Sequence, residues 1–223
     1  MIAVLLVLAV VPIVLGLAAQ FWIRRRYAAS LEVAAVTALT GIEVAQRLAA
    51  PGSIVAVTDG ELDDHYDPRN RTIRLSQQVA GSGSVGAYAI AAHEAGHAAQ
   101  HAAGDRMFRL RGALVPAAFA GGYGWSVLLV IGVAAQSLEL TAAALALFSA
   151  VLLFELVTLP VEIDASRRAL VMLTDRRLLD GDEMAVARLL LKAAELTYVA
   201  AALAAAAEVA WWILQIAFEA HGD

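Results

Sequence analysis

The sequence predicts an α-helical polytopic membrane protein with four transmembrane helices and a small cytoplasmic α+β portion. Apolar residues make up 61% of the chain, and its mean hydropathy of +0.70 exceeds that of ordinary soluble domains. Four long segments are almost free of charge, as helices that cross the roughly 30 Å hydrocarbon core of a bilayer must be. All 16 Lys and Arg residues lie between these segments. They form no dense basic patch, so no nucleic-acid partner is expected.

The first transmembrane helix is predicted within 1–23. This stretch contains no charged residue and is followed at once by Arg24, Arg25 and Arg26. A cleaved secretory signal carries its positive charge in front of the apolar run, whereas here the charge comes behind it. The sequence therefore predicts an uncleaved anchor whose N-terminus lies outside the cell.

Three further transmembrane helices are predicted, two within 113–159 and one within 196–223, where a short outer tail follows it. Single carboxylates interrupt the third and fourth spans, at Glu155 and Glu208. Ionisable groups inside a membrane are costly and usually face the bundle interior or water. These two are expected to pair with each other, to line a path to a site, or to extend toward the interface. Neither is assigned to catalysis.

The placement of charge predicts which segments face the cytoplasm. Every Lys and Arg falls within 24–112 or 160–195, and four spans put these two segments on the same side of the membrane. Because basic residues concentrate in cytoplasmic loops, that side is predicted to be the cytoplasm.

Both cytoplasmic segments are predicted to contain short helices. Residues 40–43 (Thr-Gly-Ile-Glu) fit a capping box, which predicts a helix that begins at Gly41. The alanine-rich stretch 87–103 predicts a second helix. In the other segment a helix is expected over 161–173, after a break at Pro160. Another begins at 183–195 and runs toward the fourth span.

Two short strands are predicted between the first two of these helices. The strand at 53–58 is followed by Asp59-Gly60, a dipeptide typical of hairpin turns. A second turn is predicted at 67–70, where proline is pre-set for the second turn position. The alternation of apolar and polar residues at 72–76 (TIRLS) predicts a half-buried strand. This strand is either an edge that pairs with an extended substrate or an internal strand of a small sheet.

The stretch AAHEAGHAAQHA within the predicted helix 87–103 carries the strongest chemical signal. His93 and His97 are four residues apart, so they project from one helix face and can share a zinc ion. Glu94 lies to the side, where a carboxylate can accept a proton from an activated water. The chain has no cysteine, so any metal must be held by His, Asp or Glu.

A hydrolytic zinc site needs a third protein ligand and an open position. His101 lies about 12 Å along the helix from His93, too far to share an ion. It is interpreted as a polar residue near the helix end. The remaining candidates are Glu162 and Asp164, which follow Pro160. Charge alone does not choose between these two acids.

Three stretches in this order, LDDHYDPRNRTIRLS, AAHEAGHAAQHA and LPVEIDASRRAL, resemble the bacterial membrane neutral zinc metallopeptidases of the YugP type. The resemblance covers nearly the whole chain. More distantly the chain is similar to the integral-membrane gluzincins, which carry the H-E-x-x-H motif on one helix and a glutamate ligand on a later one.

The resemblance implies zinc as the cofactor, His93, His97 and Glu162 as its ligands, and Glu94 as general base. Gluzincins often have an aspartate four residues after the ligand glutamate, and here that position is Ser166. Either Ser166 orients a ligand histidine, or Asp164 replaces Glu162 as the ligand. Glu162 is the favoured ligand.

The implied function is that of a zinc-dependent endopeptidase at the cytoplasmic face of a bacterial plasma membrane. Its expected partners are a peptide or membrane-protein substrate and the lipid bilayer. His65, next to Tyr66, is a candidate catalytic residue because either side chain can donate a hydrogen bond to an oxyanion. The alternative function is a non-catalytic membrane scaffold or chaperone that keeps a metal for folding. A transporter is a weaker alternative because the predicted spans are so apolar.

Overall fold

The computed structural model of the chain describes residues 2–60 and 63–220. Its elements, in chain order, are α1 (Ile2–Leu31), α2 (Gly41–Leu48), β1 (Ile54–Thr58), β2 (His65–Asp67), β3 (Thr72–Ser76), α3 (Gln77–Gly81), α4 (Val85–Ala102), α5 (Arg106–Ala134), α6 (Leu138–Asp175) and α7 (Gly181–Ala220).

The chain divides into two compact units. The apolar unit consists of Leu110–Leu159 together with the two ends of the chain, up to Ala19 and from Thr197 onward. The site unit consists of Gln20–Arg109 and Pro160–Leu196. The site unit contains the sheet, α2, α3, α4 and every residue of the H-E-x-x-H motif.

Three helices in the described part of the chain are long and apolar enough to cross a membrane. They are the helices over Arg106–Ala134, Leu138–Asp175 and Gly181–Gln215. A helix satisfies all its backbone hydrogen bonds internally, which is what a lipid environment demands. The first predicted span falls in α1, as expected for a helix. Several of its N-terminal side chains lie outside the described residues, so the count of four spans stays a prediction.

The helix α6 corrects the prediction that Pro160 separates a span from a short helix. It runs without interruption through Pro160, and the predicted helix 161–173 is its C-terminal part. Proline costs one backbone hydrogen bond, but ending the helix there would leave several carbonyl groups without partners. The predicted helix at 183–195 is confirmed, and it belongs to the longer α7.

The small sheet has the strand order β1-β3-β2. The predicted turn at 67–70 is confirmed, because it joins β2 to its antiparallel neighbour β3. The hairpin predicted at Asp59-Gly60 is wrong. β1 pairs with β3 in parallel, and a parallel pair needs a crossover rather than a tight turn. Asp59-Gly60 follows the end of β1 but does not join it to an antiparallel partner strand.

The strand β3 is internal, so its prediction as a substrate-pairing edge is wrong. It lies between the other two strands, and Ile73 and Leu75 are fully buried. The prediction of an internal strand is confirmed. Among the described residues, the free edges of the sheet belong to β1 and β2, and β2 packs against α4.

Two N-terminal caps set where the helices around the site begin. The Thr40 N–H donates to the Glu43 carboxylate at 2.7 Å, which confirms the predicted start of α2 at Gly41. The Ser84 hydroxyl accepts from the Ala87 N–H at 3.2 Å, so α4 begins at Val85. Each cap satisfies an amide that the helix itself leaves unpaired.

Candidate metal centre

The helix α4 presents His93 and His97 on one face. Their ring centroids are 4.8 Å apart and their planes are nearly perpendicular, at 83°. The alanines that surround them on α4 are buried and small, so the helix backbone can approach its neighbours closely. The face with the two imidazoles is directed at the C-terminal part of α6, from which the third residue of the cluster comes.

The backbones of α4 and α6 come close together at Gly96. A β-carbon at this position would lie 2.6 Å from the carbonyl oxygen of Ala165, closer than real contacts allow. The obstacle is backbone rather than a flexible side chain, so a larger residue would have to separate the two helices. The glycine inside the motif therefore sets the distance between the histidines and Glu162.

The Glu162 carboxylate lies between the two imidazoles. Its Oε2 is 3.1 Å from Nε2 of His93 and 3.5 Å from Nε2 of His97. Two ligand atoms of a tetrahedral zinc ion, each about 2.05 Å from the metal, lie about 3.3 Å apart. The observed spacings bracket that value, and the Glu162 side chain is almost fully buried. The three side chains therefore fit a zinc ion.

The Nδ1 atoms of both histidines have partners outside the cluster. His93 Nδ1 is 3.2 Å from the Ser166 hydroxyl, and His97 Nδ1 is 3.0 Å from Oε1 of Gln100. An imidazole that donates from Nδ1 has its lone pair on Nε2, the atom directed at Glu162. Such partners fix the tautomer and ring orientation of metal-binding histidines. Ser166, considered from the sequence as an orienting residue, lies where that role requires.

Gln100 is the residue that sequence reasoning missed. It is almost fully buried, and its Nε2 donates to the Val161 carbonyl at 2.8 Å and to Asp164 Oδ2 at 3.0 Å. Two acceptors on one side fix the orientation of the amide, so its oxygen must face His97. The available signal was its position three residues after His97, on the same helix face.

Asp164 contacts the metal cluster only through Gln100. Its carboxylate accepts from that amide and from the side chains of Arg167 and Arg168. Glu162, by contrast, meets both histidines directly. The geometry thus favours Glu162 over Asp164 as the third ligand, and it gives Asp164 a supporting position.

Replacing Gln100 by alanine is expected to lower zinc affinity by about 10- to 100-fold, the usual effect of losing an outer partner. The change frees His97 to rotate and leaves Asp164 without its amide donor. Affinity would be measured by competition with a graded series of chelators on the purified full chain in detergent. Gln46→Ala, an exposed glutamine on α2, is the matched control. Equal affinity in the two variants would contradict the orienting role.

Glu94 is buried next to the cluster, with 7% of its surface exposed. Burial raises the pKa of its carboxyl to about 7. The neighbouring His93 lowers this pKa in part, and the negative charge of Glu162 raises it further. A carboxyl group whose pKa is near neutral pH can both accept and return a proton at physiological pH.

His65 and Tyr66 lie on β2, whose successive side chains point to opposite faces. His65 Nδ1 is 2.9 Å from the Asp63 carbonyl oxygen, and His65 does not belong to the cluster formed by His93, His97 and Glu162. The Tyr66 hydroxyl instead meets His101 Nδ1 at 2.9 Å. His101 lies outside the metal cluster, as expected.

Glu155 and Glu208, the two carboxylates of the predicted spans, lie outside the metal cluster. Glu208 Oε1 accepts a hydrogen bond from the Trp212 indole at 2.7 Å, one helical turn away. Glu155 is half-buried. Neither belongs to the cluster formed by His93, His97 and Glu162.

Comparison with known proteins identifies the family of the chain. Residues 5–217 match the model of a family described as "Putative neutral zinc metallopeptidase". The chain is 36% identical over 201 residues to the "Putative membrane protease YugP" of Bacillus subtilis (strain 168), which covers 88% of this chain and 89% of that protein. No solved structure matches the chain significantly. The chain therefore belongs to the neutral zinc metallopeptidase family.

Proposed function

We propose that the protein is a membrane-embedded endopeptidase that hydrolyses peptide bonds at the cytoplasmic face of the membrane, with His93, His97 and Glu162 as zinc ligands. One observation carries the proposal. Within residues 2–60 and 63–220, a buried carboxyl, Glu94, stands beside a cluster that supplies three ligand atoms of suitable type, from His93, His97 and Glu162. A structural zinc site closes all four positions with protein groups, whereas a catalytic site keeps one for water.

The roles of the side chains follow from their surroundings. When bound, zinc supplies a Lewis acid that activates a water molecule and polarises the scissile carbonyl. Glu94 accepts the proton of the attacking water and then delivers it to the nitrogen of the departing amine. Ser166 and Gln100 keep the two imidazoles oriented throughout. The buried alanines of α4 keep bulk water away from Glu94.

The edge strand β2 is proposed to align the substrate. An extended peptide can pair with a free sheet edge through its backbone, and β2 packs against α4. His65 on this strand is proposed to donate a hydrogen bond to the oxyanion that develops at the scissile carbonyl. Its side chain is 43% exposed, which leaves the imidazole accessible to a bound peptide.

The proposal is tested by metal removal. The purified full chain in detergent is expected to cleave an unfolded membrane-protein substrate, to lose that activity on chelation, and to regain it on addition of zinc. Cleavage that persists in the chelated protein would contradict the proposal.

The cytoplasmic orientation is also a proposal, supported by the confinement of all 16 Lys and Arg residues to 24–112 and 160–195 and by the positive-inside rule. The chain has no cysteine, so single introduced cysteines report topology without background. Asn70→Cys, in the exposed turn between β2 and β3, is expected to react with an impermeant thiol reagent only after cells are lysed. Labelling of this cysteine in intact cells would reverse the orientation.

A further inference from the structure

A cavity of about 360 Å³ lies within the site unit beside the metal cluster. It is bounded by the C-terminal turns of α4, by the β2–β3 hairpin and by the chain just before β1. Its lining residues are Pro51, Ser53, Tyr66, Arg71, Ala98, His101 and Ala102. Neither the metal cluster nor the proposed role of Glu94 uses any of them.

The cavity and the metal cluster use neighbouring residues of α4. Ala98 follows His97 directly, and His101 lies one turn, about 6 Å, further along the helix axis. Phe108 contacts both rings, with centroid distances of 6.0 Å to His97 and 5.7 Å to His101. An extended peptide advances about 3.3 Å per residue. A substrate group in the cavity would therefore sit one or two residues from the bond at the metal.

The polar groups of the cavity are mainly hydrogen-bond donors. Arg71 carries the only formal charge among the lining residues when His101 is neutral, and Ser53 adds a hydroxyl. Tyr66 and His101 share one hydrogen bond of 2.9 Å. Tyr66 also hydrogen-bonds the Ser53 side chain. If the Tyr66 O–H donates to His101 Nδ1, His101 keeps an Nε2–H, and if His101 donates, Tyr66 keeps its O–H. Such a set suits an anion with several acceptor positions, above all a carboxylate.

Arg71 holds a backbone conformation that its residue type disfavours. Its φ is +53°, in the left-handed region where glycine or asparagine is usual and other residues cost about 1 kcal/mol or more. Its carbonyl accepts from the Ile54 N–H at 2.9 Å, which fixes the residue between β1 and the hairpin. Arg71 thus occupies a turn position that suits glycine better, and its long cationic side chain lines the cavity. This combination suggests that the side chain binds a ligand there.

We propose that the cavity lined by Ser53, Tyr66, Arg71 and His101 binds a carboxylate of the peptide substrate, with the Arg71 guanidinium as its counter-charge. The inference rests on the proposed function, since it assigns substrate specificity to the same site. The carboxylate belongs either to an Asp or Glu side chain near the scissile bond or to the end of the substrate chain. Both sources present the same group to Arg71.

The test measures binding rather than cleavage, on the zinc-loaded full chain carrying Glu94→Gln in detergent. The probes are three fluorescent nonapeptides of alanine and serine, followed by anisotropy. One has a central Glu and a capped C-terminus, one has Gln there with the same cap, and one has Gln and a free C-terminal carboxylate. A charge-assisted contact should make a carboxylate peptide bind at least about tenfold more tightly than the capped Gln peptide. The peptide that gains affinity identifies the source.

Two double variants locate the contact. Adding Arg71→Gln should bring the affinity ratio close to one, whereas Arg69→Gln, on the same hairpin but outside the cavity, should leave it unchanged. Unaltered zinc content in each variant verifies that the site is intact. Equal affinity for all three peptides, or a ratio that survives Arg71→Gln, would overturn the assignment. Failure of the zinc-loaded wild type to cleave any substrate would count against the proposed function. The affinity ratio tests the carboxylate site alone, so the two proposals can fail separately.

Discussion

Replacing Glu94 by glutamine is expected to abolish peptide hydrolysis while zinc binding is retained. The amide has nearly the same shape as the carboxyl and fills the same buried space, so the packing of α4 should persist. It cannot accept a proton from water at neutral pH, and loss of a general base typically costs about 10²- to 10⁴-fold in rate. His93, His97 and Glu162 are unchanged, so the full metal-binding set remains.

The measurement pairs metal content per chain with the initial rate of substrate cleavage, both on protein purified in detergent. Glu32→Gln, an exposed glutamate in the same unit, is the matched control and should behave like wild type. Hydrolysis that continues in Glu94→Gln at the wild-type rate would remove the general base from the mechanism. Zinc retained without any activity in wild type itself would favour the scaffold alternative.

Replacing Glu162 by alanine is expected to cause the largest loss of zinc affinity of any single acidic substitution in the site. It removes the carboxylate oxygen that lies 3.1 Å and 3.5 Å from the two Nε2 atoms. It also leaves the imidazoles of His93 and His97 facing an empty space. Losing a direct ligand should cost more than the 10- to 100-fold typical of an outer partner, and cleavage should fall with metal content.

Asp164→Ala is the matched comparison, since it removes a carboxylate two residues away on the same helix. Its effect should stay within the range for outer partners, because Asp164 acts on His97 only through Gln100. Metal content of the two variants is compared after dialysis against the same chelator buffer. Full occupancy in Glu162→Ala together with loss in Asp164→Ala would transfer the ligand role to Asp164.

The sequence predicted the parts of this molecule that depend on local chemistry. The H-E-x-x-H spacing, the capping box at 40–43 and the turn at 67–70 each follow from interactions within a few residues. Glu162 came from a resemblance to known motifs rather than from geometry. That Glu162 lies next to His93 and His97 could be seen only in the structure, because it depends on the contact between α4 and α6 at Gly96.

The features that the sequence did not predict correctly depend on surroundings that are distant in the chain. Gln100 is not a metal ligand, and its importance comes from contacts with the Val161 carbonyl and Asp164, more than sixty positions away in the chain. Pro160 usually ends a helix, but an apolar span has no water to satisfy the carbonyl groups that a break would expose. The Asp59-Gly60 signal reports a local turn and carries no information about which strand pairs with β1.

The third residue of the metal cluster lies 69 positions after His93, and this separation has a consequence for biosynthesis. The helix α4 leaves the ribosome long before Glu162 is made, and the whole of α5 is synthesised in between. Until α6 has emerged and packed against Gly96, a nascent chain holds two histidines and no third ligand. Assembly of the three-residue cluster is thereby delayed until the intervening apolar helix has been made.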